Sequence, residues 1–442
     1  MNHAERKVYF ENPNKENWDH SQIKRFWVLI WKYHVNANNF IFHGYVFPKS
    51  LHGSFHDISM YTGRDYDKFK TLFSNARFVD CEFLDDISFT NIHFEGDTKF
   101  RNVVFRKGFE ISKCDLGNLE FNRAEFEGGL LAYRLNGLCL NIYHSNIGVR
   151  NELYINTISE CHLKKLDIQY STFNHELSIY DNYTSDGCLF SLTKFNGSLT
   201  MLDNQAEGGT QFIKTVFDSN HSTIIELNQG ENPEFLSFHN TELNNSVTLK
   251  NIDFEQLMLN KTAINGAKFR NYRNVSTRPI LNGELNEMLS PPELSEVYRE
   301  LKISFENDKN WDLASKTFRS EMKMKRKSIF NKKMTIKERL IAAIEYSFYV
   351  IYEGLSGYNQ SAVRPLSILL GTIVAGVAYL YFLEGNSLND SMQLSFSASF
   401  PYLIKVPDVL HYDVWWVKLI QTLLSSILIA FFIIALRKKF KQ

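Results

Sequence analysis

The sequence predicts a mainly β fold, a quadrilateral β-helix, followed by an αα-hairpin neck and a C-terminal two-helix transmembrane domain. Three observations predict it. Large apolar residues recur at steps of five and six across residues 72–270. A double proline, Pro291-Pro292, then switches the chain to a helical period. Two long apolar runs, one uncharged and one carrying a single lysine, close the chain. The corresponding divisions are an N-terminal helix and capping region at 1–71, the β-solenoid at 72–290, a helical neck with a basic juxtamembrane segment at 291–364, and the transmembrane domain at 365–442.

The first twenty residues lack an apolar h-region, so no signal peptide is readable. Residues 21–35, SQIKRFWVLIWKYHV, are expected to form an amphipathic helix with Ser21 as N-cap. Phe26, Trp27, Ile30, Trp31 and Tyr33 make it strongly apolar, but it is too short to span a bilayer. It reads as a cap on the solenoid, with membrane or partner contact through the tryptophans as the alternative.

In FTNIHFEGDTKFRNVVF the phenylalanines are Phe89, Phe94, Phe100 and Phe105, at steps of 5, 6 and 5. The pattern extends back to Phe73, Phe78 and Phe83 and forward to Phe121 and Phe126. It returns from Phe238 through Leu243, Leu249, Phe254, Leu259, Ile264 and Phe269. Two residues before many of these stands a second inward candidate: Ala76, Cys81, Ile92, Thr98, Val103, Ala124, Thr241, Val247, Ile252, Thr262 or Ala267. A coil with four short faces satisfies this spacing, with one large and one small residue per face turned inward. Stacked coils pair by β-type hydrogen bonds at ~4.8 Å, and neighbours bury what no single coil can. A β-sandwich would instead alternate at two. The pattern degenerates through about 130–235, where NQAEGGTQ and NQGENPE are expected to loop out.

ARFVD and CEFLD, at 76–85, resemble the pentapeptide-repeat family, whose consensus is A(D/N)LXX with Leu or Phe at the centre. The five-then-six alternation resembles a variant found in large membrane-associated members. The resemblance implies a right-handed coil and covers on the order of ten turns. Some family members mimic DNA and bind topoisomerases. Here interspersed Lys and Arg weaken that comparison, and nucleic acid is not an expected partner.

Beyond the prolines, Leu294, Val297, Leu301 and Phe305 share a helical face, NDKN turns the chain, and Ala314, Phe318 and Met322 form a second face. The segment resembles the neck of membrane-bound pentapeptide-repeat proteins in Leu301, Lys302, Phe305, Glu306, Ala314, Glu321, Met322, Lys325 and Arg326. A coupling lever and a plain spacer both fit it. The later Leu355-Ser356-Gly357-Tyr358 with Arg364 resembles their L-S-G-Y-G and arginine, with Asn359 in place of the second glycine.

Transmembrane helices are expected at about 366–383 and 415–436; the second carries only Lys418. Lys325, Arg326, Lys327, Lys332 and Lys333 precede the first, Arg437, Lys438 and Lys439 follow the second, and the intervening 384–414 holds only Lys405. This asymmetry puts both ends on the cytoplasmic side and the basic neck against anionic lipid; the expected location is a bacterial inner membrane. Residues 391–406 are a possible re-entrant segment. Gln421, Thr422, Ser425 and Ser426, with Ser395, Ser397 and Ser399, are candidate pore-lining residues; Gly371, Thr372, Ala375 and Gly376 offer a helix-packing face. No T-V-G-Y-G filter is present. Two helices per chain enclose little water, so a pore requires a homo-oligomer.

No catalytic constellation is readable, and no cofactor or metal is expected. His52 and His56 lack a zincin glutamate, and Cys161-His162 reads as repeat packing. The odd set of five cysteines without a C-x-x-C pair indicates reduced thiols, and the zero net charge removes any global pull toward nucleic acid. The expected function is a solenoid that senses or binds a protein partner or activating ligand, coupled to a non-selective ion channel or membrane-permeabilising effector. Stress or anti-phage defence suits such a layout. The alternatives are a non-conducting membrane-tethered scaffold and, more remotely, a DNA-mimic topoisomerase binder.

Overall fold

The computed structural model describes residues 3–35, 40–49, 75–148, 156–227, 234–273, 279–330, 334–358, 362–401 and 415–440. Inward apolar side chains at five-to-six-residue spacing make short strands that stack in register. The result is a parallel β-solenoid of about 8 turns, followed by C-terminal helices. The chain divides into two compact units, 1–289 with 303–309, and 290–302 with 310–442.

Each face of the solenoid is a ladder of like residues. One runs Phe42, Phe78, Phe100, Phe121, Ile142, Ile168, Phe190, Phe212, Phe238, Leu259. A second runs from Phe47 through Phe83, Phe105 and Phe126 to Ile147, Phe173, Phe195 and Phe217. A third carries Phe89, Ile111, Ala132, Ile158 and Ile179, and a fourth Phe94, Leu116, Gly137 and Leu163. The rings stack nearly parallel along a ladder: Phe78 on Phe100 at 4.6 Å and 3°, Phe83 on Phe105 at 5.1 Å and 10°.

The small inward residues that precede these rings are buried as expected, from Ala76 to Ala267. Their chemistry has a further reason. In later coils the same column becomes Ser171, Thr193, Thr215, Thr241 and Thr262, and each hydroxyl donates to the carbonyl of the preceding coil, as Thr193 Oγ1 does to Ile168 O at 3.0 Å. A buried hydroxyl so paired avoids the cost of an unsatisfied donor. The corners turn through the left-handed region: Asp80, Asn102, Arg123, His144, Tyr170, Leu192, Lys214, Asn240 and Lys261 have φ between 48° and 58°. Asp and Asn accept this readily; Tyr170 and Leu192 carry strain of roughly 1–2 kcal/mol each. Their amides donate to the next coil, Leu192 N to Ile213 O at 2.7 Å.

Three sequence expectations are corrected. The ladder begins earlier than the repeat, at Ile41–His43 paired with Arg77–Val79. Gln205 and Ala206 of NQAEGGTQ pair with Tyr183 and Thr184, and Thr210 opens the next strand, so this stretch is part of the coil. Gly208 and Gly209 permit it, since a Cβ on Gly208 would collide with the carbonyl of Asp186 in the preceding coil. NQGENPE lies largely outside the described residues. The N-cap of the amphipathic helix is Asp19, whose carboxylate accepts from Gln22 N while the Gln22 side chain accepts from Asp19 N; Ser21 merely donates to Asp19 at 2.7 Å.

Helix α1 (His3–Tyr9) and helix α2 (His20–Ile30) cover the first coil. Phe26 meets Phe47 at 5.7 Å, Phe10 stacks on Tyr45 at 4.5 Å, and Trp27 and Trp31 are buried. The apolar face is thus consumed by capping. Beyond the short α3 (Asn282–Leu285), helix α4 (Pro291–Asn307) closes the far end through its last turn: Phe305 lies 5.2 Å from Phe269, Ser304 donates to Ala267 O, and Asp308 pairs with Arg270.

In the second unit α5 (Trp311–Ser328) follows the NDKN turn. It buries Leu313, Ala314, Thr317, Ser320, Glu321 and Met324 rather than the expected Ala314, Phe318, Met322 stripe. The face is rotated because Glu321 is drawn inside, between Lys302 at 3.4 Å and Lys325 at 2.6 Å, while Lys302 also covers the Phe318 ring. Helix α6 (Ile336–Ser356) starts on a Thr335–Glu338 capping box and stops at Gly357 in the left-handed region. Helices α7 (Val363–Phe382), α8 (Leu388–Ser399) and α9 (Trp415–Phe440) complete the unit.

Candidate functional site

Helices α7 and α9 are long and apolar enough to cross a membrane. Only 28% of the first apolar window and 22% of the second is buried within the chain. Residues 391–399 of the possible re-entrant segment are helical, within α8; 402–406 lie outside the described residues.

The three helices meet at a polar knot. Gln421 on α9 donates through Nε2 to Ser395 Oγ at 2.7 Å, Ser395 O at 3.0 Å and Ser399 Oγ at 3.0 Å, both serines on α8. Ser395 Oγ donates on to Ile373 O of α7 at 2.9 Å. Thr422 Oγ1 donates to Ala398 O at 2.9 Å. Gly376 of α7 makes the crossing possible: a Cβ there would stand 2.6 Å from Ser395 Oγ and 2.7 Å from Gln421 Oε1. Gln421, Ser391, Ser395, Ser397, Ser399 and Ser425 are all buried, and Gln421 Oε1, Ser391 Oγ and Ser425 Oγ have no partner among the described residues.

Seven candidate lining residues therefore divide. Gln421, Ser395 and Ser399 are joined directly, and Thr422 ties the same two helices. Ser397 turns its hydroxyl onto Leu394 O and Ser425 is buried beside Gln421's turn. Ser426 alone is exposed, with its hydroxyl on Thr422 O. Of the small-residue face, Gly376 is buried at the knot; Thr372 bonds Leu369 O, and Gly371 and Ala375 are exposed. The buried residues of α7 are Pro365, Leu369, Ile373, Gly376 and Leu380. The sequence shows the polar stripe on α9 but not its partners, because the α8 serines read only as polar decoration of a short segment.

Of the basic residues, Lys325 pairs with Glu321, Arg326 pairs with Glu353, and Lys327 is exposed. Lys332 and Lys333 lie outside the described residues. So do His52 and His56; among the described residues no cluster of His, Cys, Asp or Glu could hold a metal. The Cys161 thiol is buried and pushed up to about 12 by desolvation, the opposite of what a nucleophile needs. Cys81 is pushed to about 12 and Cys114 to about 11 for the same reason.

Comparison with known proteins yields no match to a family model, a curated protein or a solved structure.

Proposed function

We propose that this is a membrane-bound pentapeptide-repeat protein of a bacterial inner membrane, with a cytoplasmic solenoid that binds a protein partner or activating ligand and a homo-oligomeric helical domain that opens a non-selective, membrane-permeabilising passage. The observation that carries this reading is the Gln421–Ser395–Ser399 knot. Polar groups inside membrane-length helices are expensive and mark function. Here two of them, Gln421 Oε1 and Ser425 Oγ on α9, have no partner among the described residues, and neither has Ser391 Oγ on the short α8, which is poor design for a mere anchor. The knot holds α8 against α9 with these groups buried. Parting the two helices would expose a ladder of hydroxyl and amide groups that water can follow, with no filter carbonyls to select among ions. Defence against phage or stress is a role such an effector could serve by depolarising the cell.

A second reading, a non-conducting tether, is favoured by one observation: most of these polar side chains point into a single protomer. A disulfide separates the two. Thr422 Oγ1 reaches Ala398 O, so Ala398→Cys/Thr422→Cys, in a background without the native cysteines, should link α8 to α9. Bilayer recordings of the purified full-length protein should then show conductance only after reduction. Conductance that ignores the link would refute the knot as gate; silence in both states, with any solenoid ligand supplied, would leave the tether.

A further inference from the structure

Helix α6 is amphipathic in the inverse sense. Toward α5 and α9 it turns Ala342, Tyr346, Tyr352 and Glu353. Ala342 is buried, the Tyr346 ring lies 5.4 Å from Phe330 and 5.8 Å from the Arg326 guanidinium, and Glu353 pairs with Arg326. Away from the protein it turns Leu340, Ile344, Phe348 and Ile351, which are 63%, 56%, 68% and 53% exposed. Their spacing, four, four and three, puts them on one side of the helix, and exposed Ile341 widens the stripe. A helix facing water carries its polar residues on that side. Here a contiguous apolar patch stands open among the described residues, and such a patch marks a contact surface.

Depth identifies the partner. Tyr352 of α6 meets Phe431 of α9 with ring centroids 5.6 Å apart. The apolar run of α9 ends at Arg437, and Phe431 lies six residues before it, about 9 Å of helix rise. The C-terminal half of α6 is therefore held beside the last turns of a membrane-length helix. From Gly357 the chain runs on to α7, which begins at Val363. Charge excludes a third crossing. Lys337, Glu338, Arg339, Glu345 and Glu353 are distributed along the whole of α6, and each is expensive in the hydrocarbon core. The position that satisfies both observations is the headgroup–acyl boundary, with the apolar stripe toward the chains. Lys337, in the first turn, has the reach to snorkel to the headgroups.

We infer that α6 lies along one leaflet, with Leu340, Ile344, Phe348 and Ile351 among the acyl chains, and that its partner is the lipid bilayer rather than a second copy of the chain. The inference rests on the membrane reading of α7 and α9. It adds a membrane contact made by apolar side chains of the neck, distinct from the attraction of its basic charge to anionic lipid.

Spin labelling tests it. A nitroxide is placed on the full-length protein at Ile344→Cys, Phe348→Cys, Arg339→Cys or Leu423→Cys, in a background without the native cysteines, and the protein is reconstituted in phosphatidylethanolamine–phosphatidylglycerol liposomes. The labels at 344 and 348 should be severalfold more accessible to oxygen than to a nickel chelate, as a lipid-facing site is. The label at 339 should show the reverse. Greater access of the chelate at 344 and 348 would overturn the inference, and so would closure of both positions to both reagents, the sign of a second copy covering the stripe. The label at Leu423, exposed on α9, tests the membrane reading by itself: chelate access there sinks that reading, whereas lipid exposure there with water at 344 and 348 sinks only the assignment of α6. A measurement on the wild type needs no substitution. A diazirine dissolved in the same bilayers should leave adducts in 340–351 as well as in α7 and α9, and adducts confined to α7 and α9 would overturn the inference even where a labelled variant fails to fold.

Discussion

Replacing Phe100 by alanine strikes the middle of the aromatic ladder. The ring is 1% exposed, stacked on Phe78 at 4.6 Å and on Phe121 at 5.0 Å, with the Phe109 ring at 5.8 Å. The rungs above and below are fixed by the backbone pairing Phe78↔Phe100↔Phe121, so they cannot close over the lost ring. A buried Phe→Ala change in a site that collapses poorly costs about 4 kcal/mol, which is roughly a thousandfold in local opening. Phe100→Leu keeps most of the volume and should cost about 1.5 kcal/mol. The assay is amide hydrogen exchange of the full-length protein, read peptide by peptide. Because each coil touches only its neighbours, protection should fall across the strands from Arg77 to Asn122 and stay near wild type at Leu236–Asn260. Arg101→Ala, one residue away and exposed, should change exchange little. Equal effects of Phe100→Ala and Arg101→Ala would refute the inward register. Loss of protection spread evenly to residue 260 would refute nearest-neighbour stacking.

Three further outcomes follow from the same structure. Lys15 is buried, donates to the carbonyls of Tyr9, Phe10 and Val46, and burial pulls its pKa from 10.5 down to about 7. Between those values the unfolded chain holds a proton that the folded one has released, so the cap should gain stability as pH rises from about 7 toward 10.5; melts followed by tryptophan fluorescence should show that slope in the wild type and not in Lys15→Met. Gly376→Ala drives a methyl against Ser395 and Gln421, costs about 1–3 kcal/mol, and should lower the yield of the α8–α9 disulfide in the Ala398→Cys/Thr422→Cys variant; an unchanged yield would mean that the three helices do not cross there. In a background without native cysteines, Asn389→Cys should react with an impermeant maleimide in intact cells and Asn14→Cys should not, while labelling at Asn14 would reverse the orientation drawn from the basic residues.

The solenoid was legible because few folds besides a four-faced coil place a large ring at every fifth or sixth residue. Its first coil was not, since Phe42 pairs with Phe78 across 36 positions where the next rung, Phe78 to Phe100, takes 22, and the surplus destroys the count. The middle was hidden by exchange of kind rather than of place: Ile142, Ile147 and Ile158 fill positions in columns that Phe holds elsewhere, equally buried. Corners in the left-handed region at Tyr170 and Leu192 violate local propensity and are enforced only by the stack. In the helical unit, length and hydropathy located the two long apolar helices. Hydropathy does not report partners, so the pairing of Gln421 with Ser395 and Ser399 could not be read.

One chain with two spans is insufficient to enclose a passage, so the proposed function requires the helical units of several copies to build it together. Counting the copies per particle by mass photometry of the wild-type protein in lipid nanodiscs measures this directly. The expected result is a uniform assembly of several copies, preserved when the α8–α9 disulfide is closed. A single copy per nanodisc at every protein-to-lipid ratio would contradict it.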